Sequence, residues 1–235
     1  MTLFELYKAV NFRLAKDKQG NAFTPDNFNV ALEAVNLDLY NTEFEKVMRP
    51  EQVTDDELFD FNWFRRTTGL KANALPIDYK HHISLTVNGK KARIVNPAEL
   101  DTYKSSVMKP NPAANPVATF YIDYIEALPN GDMVLSYYRL PLTPYMDYVV
   151  NEYGEIFYMP VGSRLLSDGG NLVSATGAVL QTGVSHLTAT AYPYTSATSE
   201  LDWRDNFHSK FVNQLTEWGA MNLRDQMAEQ ISIQK

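Results

Sequence analysis

The four histidines are the side chains best suited to bind a metal in this 235-residue sequence, and their spacing argues against a metal site. His81 and His82 are adjacent, and adjacent residues on a strand point to opposite faces, so this pair is not expected to chelate one ion. His186 and His208 stand alone, and no His-x-x-x-His or Glu-x-x-His pattern occurs. The chain has no cysteine, which excludes disulfides, thiolate zinc sites and cysteine nucleophiles. We expect the histidines to be structural or exposed, with no metal bound.

Short motifs of nucleotide-binding and acyl-transfer enzymes occur only as fragments. Gly89-Lys90 lacks the preceding glycine-rich run of a phosphate loop, and Gly162-Ser163 lacks the second glycine of a nucleophile elbow. Residues 106–109 (SVMK) match the pattern Ser-x-x-Lys, but so short a match is common by chance. The carboxylates at 55–57 suit the first turn of a helix, where the helix dipole favours negative charge. The sequence therefore predicts neither an enzyme nor a cofactor.

The charge balance limits the classes of partner. Lys and Arg number 21 and Asp and Glu 28, which gives a net charge of −7 and no basic surplus to neutralise phosphates. Sequence-specific nucleic-acid binding is therefore not expected, although an acidic channel that DNA merely passes through remains compatible with this charge. The N-terminus lacks the apolar core of a signal peptide, and no run of about 18 apolar residues occurs, so neither secretion nor a membrane span is expected.

Helix signals dominate the N-terminal part of the chain. Thr2 and Glu5 form a capping box that predicts a first helix. Thr24 followed by Pro25 predicts the start of a second helix, because proline needs no hydrogen-bond acceptor in the first helical turn. A further capping box at 54–57 predicts a short helix that ends before Gly69. Residues 1–69 are therefore interpreted as the N-terminal helical part of a bundle.

The C-terminal residues 201–235 are expected to complete that bundle as one helix. Asp202 is the expected N-cap, and apolar residues follow at helical spacing. The expected core of the bundle lies on one face of each helix and consists of Leu6, Val10, Leu14, Phe23, Phe28, Leu32, Val35, Leu39, Phe207, Phe211, Leu215 and Trp218.

The middle of the chain changes to a period of two, which is typical of strands. Residues 83–87 and 91–95 flank Asn88-Gly89, a pair that tolerates the positive φ angles of a type I′ turn and so predicts a β-hairpin. Residues 70–168 are interpreted as an inserted β-rich domain. The predicted fold class is α+β: an N-terminal helical hairpin and a C-terminal helix form a bundle, with a small antiparallel β domain inserted and a long uncharged loop.

One long segment carries no Asp, Glu, Lys or Arg, from residue 171 to residue 199. Such a segment is unusual as a solvated loop, and it indicates either strands in a sheet or a surface that packs on a neighbouring subunit. The two interpretations do not exclude each other. Residues 169–200 are interpreted as a neutral loop or hairpin in an intersubunit contact, since burying an unpaired charge is costly. Deleting residues 177–190 is then expected to abolish assembly but not folding. The residues expected on the buried side of the contact are Leu180, Val184, Leu187, Tyr192 and Tyr194.

Three stretches of the chain together carry a resemblance to a known family. They are residues 20–32 (GNAFTPDNFNVAL) followed by 36–40 (NLDLY), residues 135–141 (LSYYRLP) followed by Pro144, and residues 199–203 (SELDW) followed by a long amphipathic helix. These stretches resemble virion proteins of crAss-like and related Bacteroidetes phages. The three occur in the expected order and span nearly the whole chain. The order of elements is also similar to that of the head–tail adaptor, or tail tubular protein, of short-tailed phages. The neutral segment is longer than in a minimal adaptor.

The resemblance implies a fold and a role. In the adaptor family an N-terminal helical hairpin and a C-terminal helix form a bundle with an inserted β domain, and usually twelve subunits form a ring beneath the portal that continues its DNA channel. The expected function is therefore a structural virion protein, a ring subunit of the phage neck that is made in the host cytoplasm. Its expected partners are further copies of itself, the portal and other neck or tail proteins, with no membrane. The alternative is an auxiliary capsid, tail-fibre-attachment or cargo-binding protein.

Overall fold

The computed structural model describes residues 1–16, 23–49, 61–105 and 113–233, which form an α+β protein. The chain divides into two units. The terminal unit comprises residues 1–45 and 142–235, and the inserted unit comprises residues 46–141. An insertion between two helical parts was expected, but over residues 70–168. The observed boundaries differ because the strands after residue 142 pair with one another in the terminal unit.

The helices and strands have the following bounds in chain order. The helices are α1 (Leu3–Lys16), α2 (Pro25–Val47), α3 (Pro97–Ser105) and α4 (His208–Ile233), with 3₁₀ turns at Asn62–Phe64 and Asp205–Phe207. The strands are β1 (Arg65–Gly69), β2 (Tyr79–Val87), β3 (Lys90–Lys91), β4 (Arg93–Ile94), β5 (Val117–Phe120), β6 (Ile125–Leu128), β7 (Met133–Arg139), β8 (Tyr148–Asn151), β9 (Ile156–Tyr158), β10 (Arg164–Leu165), β11 (Gly170–Val173), β12 (Val179–Ser185) and β13 (Tyr194–Thr195).

The helix starts of the terminal unit confirm the capping predictions. The Glu5 N–H donates to the Thr2 hydroxyl at 3.2 Å, and the Thr2 N–H donates to the Glu5 carboxylate at 2.8 Å. At the start of α2 the Asn27 N–H donates to the Thr24 hydroxyl at 3.3 Å. Each contact satisfies a backbone N–H that has no partner within the helix. The C-terminal prediction needs one correction, because α4 starts at His208 after a 3₁₀ turn and not directly after Asp202.

Helices α1, α2 and α4 pack together as the expected bundle. The Tyr7 ring meets the Phe28 ring edge-on at 5.2 Å and joins α1 to α2. The Trp203 indole N–H donates to the Asn36 amide oxygen at 2.7 Å, which ties the segment before α4 to α2. All of the expected core residues are buried except Trp218, which is half-buried. These contacts make the two ends of the chain one hydrophobic core.

Hydrogen bonds link the bundle to the β-sheet of the same unit. The Asn29 side chain donates to the Met146 carbonyl at 3.0 Å and accepts from the Met146 N–H at 2.8 Å. The Glu200 carboxylate accepts from the Leu3 N–H at 3.0 Å and also from the Tyr158 hydroxyl. Carboxylates near the first turn of a helix also stabilise its dipole. The position of the sheet relative to α1 and α2 is thus fixed by directional bonds.

The sheet of the terminal unit has six strands in the order β13-β10-β11-β12-β8-β9, all antiparallel. Three of these strands, β11, β12 and β13, come from the neutral segment, so the interpretation as strands is confirmed for part of it. Its core consists of Val149, Met159, Leu165, Leu172 and Val184. A charge in these strands would face an apolar core on one side, which explains part of the charge-free run.

The inserted unit contains two sheets, in the orders β1-β7-β2-β3 and β4-β5-β6. One pair, β4 with β5, is parallel, in contrast to the expected antiparallel arrangement. Residues 65–69 were expected at the end of a helix, but they form β1, which pairs with β7 along its whole length. Thr67 and Thr68 favour a strand because they are β-branched, and β7 provides the strand with which β1 pairs. The capping box at 54–57 lies outside the described residues.

The Asn88-Gly89 hairpin turn is confirmed, with φ angles of 50° and 76° between paired strands β2 and β3. We expect Gly89→Val to lower the free energy of unfolding by about 1–2 kcal/mol, because a branched side chain resists positive φ. A Cβ at Gly89 would meet no atom within 4 Å, so crowding does not contribute to this loss. Denaturant unfolding measures the change. Gly69→Val is the matched control, since Gly69 lies in a strand with equal space, and an equal loss there would contradict the argument.

Candidate assembly surface

The hairpin that joins β11 to β12 is built by its own hydrogen bonds. The Ser174 N–H donates to the Ala178 carbonyl at 2.8 Å, and the Ala178 N–H donates to the Ser174 hydroxyl at 3.0 Å. Gly177 supplies the positive φ of 88° that closes the turn. We call residues 174–180 the arm. Its shape is therefore determined by local hydrogen bonds.

The arm is exposed on both of its faces. Val179 is 57 % exposed and Leu180 is 45 % exposed, although adjacent strand residues point to opposite sides. Further along the same strand, Val184 is completely buried in the core of the sheet. Strand β12 thus has an inner part that holds the sheet together and an outer part that the described residues leave uncovered. Apolar, uncharged and exposed on two sides, the arm has the properties of a docking element.

The five predicted contact residues fall into three groups. Leu180, Leu187 and Tyr192 are exposed and remain available to a partner. Val184 was expected at the contact, but the alternation of β12 turns it inward, where the core of its own sheet covers it. Tyr194 is half-buried, and its hydroxyl donates to the Asp147 carboxylate at 3.1 Å. Only the first group can form the surface proposed from the sequence.

Sequence reasoning missed a second exposed apolar residue beside the arm, Val161. A Cβ placed on Gly162 would lie 3.3 Å from the Ala175 Cβ, so the turn at 160–162 passes next to the arm. Leu166 is also exposed, but it lies beyond β10, where its N–H donates to the Asn171 carbonyl at 3.1 Å, at the other end of β11 from the arm. The available signal for Val161 was a second charge-free run at residues 156–163. Val161 therefore extends the apolar surface of the arm.

Beneath this region lies a buried carboxylate, Asp147, which is 1 % exposed. Its oxygens accept from the Tyr148 N–H at 2.9 Å, the Ala197 N–H at 2.8 Å and the Tyr194 hydroxyl at 3.1 Å. The His186 ring adds a fourth contact at 2.7 Å. A buried charge with four donors is well satisfied, so this cluster holds the C-terminal part of the neutral segment, from His186 to Ala197, against the start of β8.

The same contacts determine the tautomer of His186. The Thr188 N–H donates to Nδ1 at 3.2 Å, so Nδ1 carries no proton and Nε2–H donates to Asp147. Both ring nitrogens are therefore occupied, and neither is open to a metal or a substrate. Burial, followed by the negative charge of Asp147, raises the pKa of the Tyr194 phenol to about 12. The cluster positions the neutral segment and has the geometry of a structural element.

The adjacent histidines of the inserted unit contradict the expectation that they face opposite ways. The His81 and His82 rings stack at 4.9 Å, and His82 also stacks on Phe120 at 4.5 Å. Register shifts on both sides of the pair break the strand alternation. Burial lowers the pKa of both imidazoles, and proximity to His81 lowers that of His82 further. Among the described residues no group of three or more His, Asp or Glu side chains could hold a metal ion.

None of the described helices combines the length and apolar character needed to cross a bilayer. Comparison with protein-family models and with curated proteins gives no match.

Proposed function

We propose that this chain is a structural subunit of a tailed-phage neck, a ring protein between portal and tail that lines the DNA channel. The observation that carries the proposal is the arm, which is free of charge and exposed on both faces. A subunit that works by assembly needs an extended element of this kind to reach a neighbour. The neighbour is another copy, the portal or an adjoining neck protein.

The chemistry of the arm favours contact with protein. Val179 and Leu180 offer apolar side chains on opposite sides, so a partner can cover both and gain their burial, about 1.5–3 kcal/mol for each fully buried side chain. No charge on the arm would have to lose its hydration during docking. The outer part of β12 also presents backbone groups that can pair with a strand of the partner. A long, uncharged hairpin thus suits a stable contact between subunits.

The topology of the terminal unit supports the same role. Its bundle is closed by helices from both ends of the chain, and the inserted unit interrupts it between residues 46 and 141. The bundle and the insertion are what the resemblance to head–tail adaptors implies, and the six-stranded sheet of the terminal unit is an addition to it. The net charge of −7 also suits a channel wall along which DNA slides, because like charges repel.

The deletion suggested by the sequence is the wrong test of this proposal. Removing residues 177–190 would remove the whole of β12, which lies between β11 and β8, and with it the buried Val184. Such a variant is expected to lose the sheet together with any contact. A substitution on the exposed part of the arm separates assembly from folding.

The test is Leu180→Asp, compared with Tyr153→Asp at an exposed position of the β8–β9 turn. We expect Leu180→Asp to keep the wild-type melting temperature and to reduce ring formation, alone or on the portal, at least about tenfold, because docking would bury the new charge. Mass photometry and negative-stain microscopy measure ring formation. Tyr153→Asp should assemble normally. A wild-type chain that remains a monomer and ignores the portal would refute the neck role and favour the alternative virion roles.

A further inference from the structure

Helix α2 carries apolar residues on two faces. Its inner face is buried in the bundle and includes Phe28 and Leu32. Val30, Ala34 and Leu37 follow one another at helical spacing on the outer side, where all three are exposed and Val30 is 62 % exposed. A surface helix of a monomer needs only the inner stripe. These three residues, which we call the outer stripe, therefore form a candidate contact surface for a second partner.

The outer stripe borders a groove between α2 and α4. Its cavity measures about 230 Å³. Since an apolar cavity of about 150 Å³ accepts benzene, the groove has room for a phenyl ring. The lining residues used below are Ala34, Asp38, Gln214, Glu217, Trp218 and Met221.

The groove has an apolar part and an acidic part. Trp218 and Met221 form the apolar part, while Asp38 and Glu217 are exposed carboxylates and form the acidic part. The Gln214 side-chain oxygen is buried and has no hydrogen-bond partner among the described residues. An unsatisfied buried acceptor is costly, typically about 1–3 kcal/mol. The groove therefore favours an aromatic side chain that arrives with a cationic donor beside it.

A matching group lies on the opposite side of the same bundle. On α1, Val10 and Leu14 face the core, which turns Phe12 outward, where it is 65 % exposed. Lys8 lies one turn earlier on α1 and is exposed, with its ammonium 4.1 Å from the centroid of the Phe4 ring, whereas Arg13, the next residue after Phe12, already donates to the Asn213 side-chain oxygen at 2.6 Å. In a three-helix bundle the groove between α2 and α4 faces away from α1. The Phe12 ring therefore cannot reach the groove of its own chain.

We propose that Phe12 of one copy docks into the α2–α4 groove of the next copy, with Lys8 facing the carboxylates of Asp38 and Glu217. Because two different surfaces meet, the contact is heterologous and repeats head to tail, closing into a ring where the rotation between copies allows. This inference rests on the proposed assembly of the chain into a ring, and it names a surface separate from the arm.

The absence of native cysteine allows a direct test by disulfide trapping. The double variant Phe12→Cys with Met221→Cys should form a ladder of disulfide-linked species larger than dimers on a non-reducing gel. Either single variant can form at most a covalent dimer. The control Phe12→Cys with Glu33→Cys places the second thiol on an exposed site of α2 that does not line the groove. No ladder, or an equal ladder in the control, would overturn the proposed contact.

Charge reversal tests the electrostatic half of the contact. Lys8→Glu should weaken association about three- to tenfold, and Asp38→Lys combined with Glu217→Lys should do the same. Combining all three substitutions should restore association to within about threefold of wild type. Glu33→Lys replaces one carboxylate by an ammonium outside the groove and should leave association unchanged. Sedimentation velocity measures association, and an unaffected Lys8→Glu variant would exclude the pairing.

The outcomes separate this contact from the neck role. If the ladder is missing while Leu180→Asp still abolishes portal binding, only the Phe12 contact is overturned. If the ladder forms but the wild-type chain ignores the portal, the neck role is overturned and the contact between copies stands.

Discussion

Replacing Phe28 with alanine is expected to lower the free energy of unfolding by about 3–5 kcal/mol. Phe28 is completely buried between α1 and α2, with its ring against the Tyr7 ring at 5.2 Å. The loss combines the lost burial of the ring with the cavity that it leaves, since its neighbours Ala31 and Leu32 are held by the helix and relax little.

Thermal or urea unfolding of the terminal unit measures this loss. Val30→Ala is the matched control, because Val30 lies on the same helix but faces outward. Its substitution should change stability by no more than about 0.5 kcal/mol in the isolated chain. An unchanged melting temperature for Phe28→Ala would contradict the assigned core.

Replacing Asp147 with alanine should cost a comparable amount, about 3–5 kcal/mol. The substitution leaves the N–H groups of Tyr148 and Ala197, the Tyr194 hydroxyl and the His186 ring without their acceptor in a buried site. Each unsatisfied buried donor is costly, so the combined loss should be large. The control Asp168→Ala removes an exposed carboxylate of the same unit and should be close to neutral.

Asp147→Asn isolates the role of the charge, because the side chain keeps its size. The pKa of Tyr194 is raised to about 12 first by burial and then by the charge and hydrogen bond of Asp147. Without that charge the pKa should fall toward its usual value of about 10, which an ultraviolet titration of tyrosinate measures. The pKa of Tyr194 is higher in the folded state than in the unfolded state. The contribution of Tyr194 to the free energy of unfolding is therefore fully present below pH 10 and is lost as the pH rises toward 12. A Tyr194 pKa that stays at about 12 in Asp147→Asn would contradict this account.

Local signals in the sequence predicted the local structure well. The Thr2–Glu5 box, the Thr24 cap and the Asn88-Gly89 turn each depend on residues within four positions of one another. The expected bundle core followed from helical spacing for the same reason, because one turn of helix determines which face is apolar. The α+β class followed from the change in period along the chain.

Features that depend on distant residues were beyond such reasoning. Strand β1 forms because β7 pairs with it from about seventy residues away, as in the pair Arg65 and Tyr138. The stacking of His81 on His82 requires register shifts that a single strand does not reveal. In the neutral segment, Val184 and Leu180 have similar chemistry, and only the position of β8 and β11 decides which of them is buried. The partners of Asp147 come from three separate stretches, so no local pattern predicts that cluster.

The closure of the bundle by both chain ends has a consequence for synthesis on the ribosome. The Leu3 N–H bonds Glu200 across 197 positions, and the Arg13 side chain bonds Asn213 across 200. At about 5–20 residues per second, α1 waits roughly 10–40 seconds for the helix that covers it. The inserted unit pairs all its strands within residues 46–141 and can fold during that delay. Several nascent chains on one messenger RNA therefore expose the apolar face of α1 at the same time. The misassembly expected for this topology is that α1 of one chain packs against α4 of a neighbouring chain.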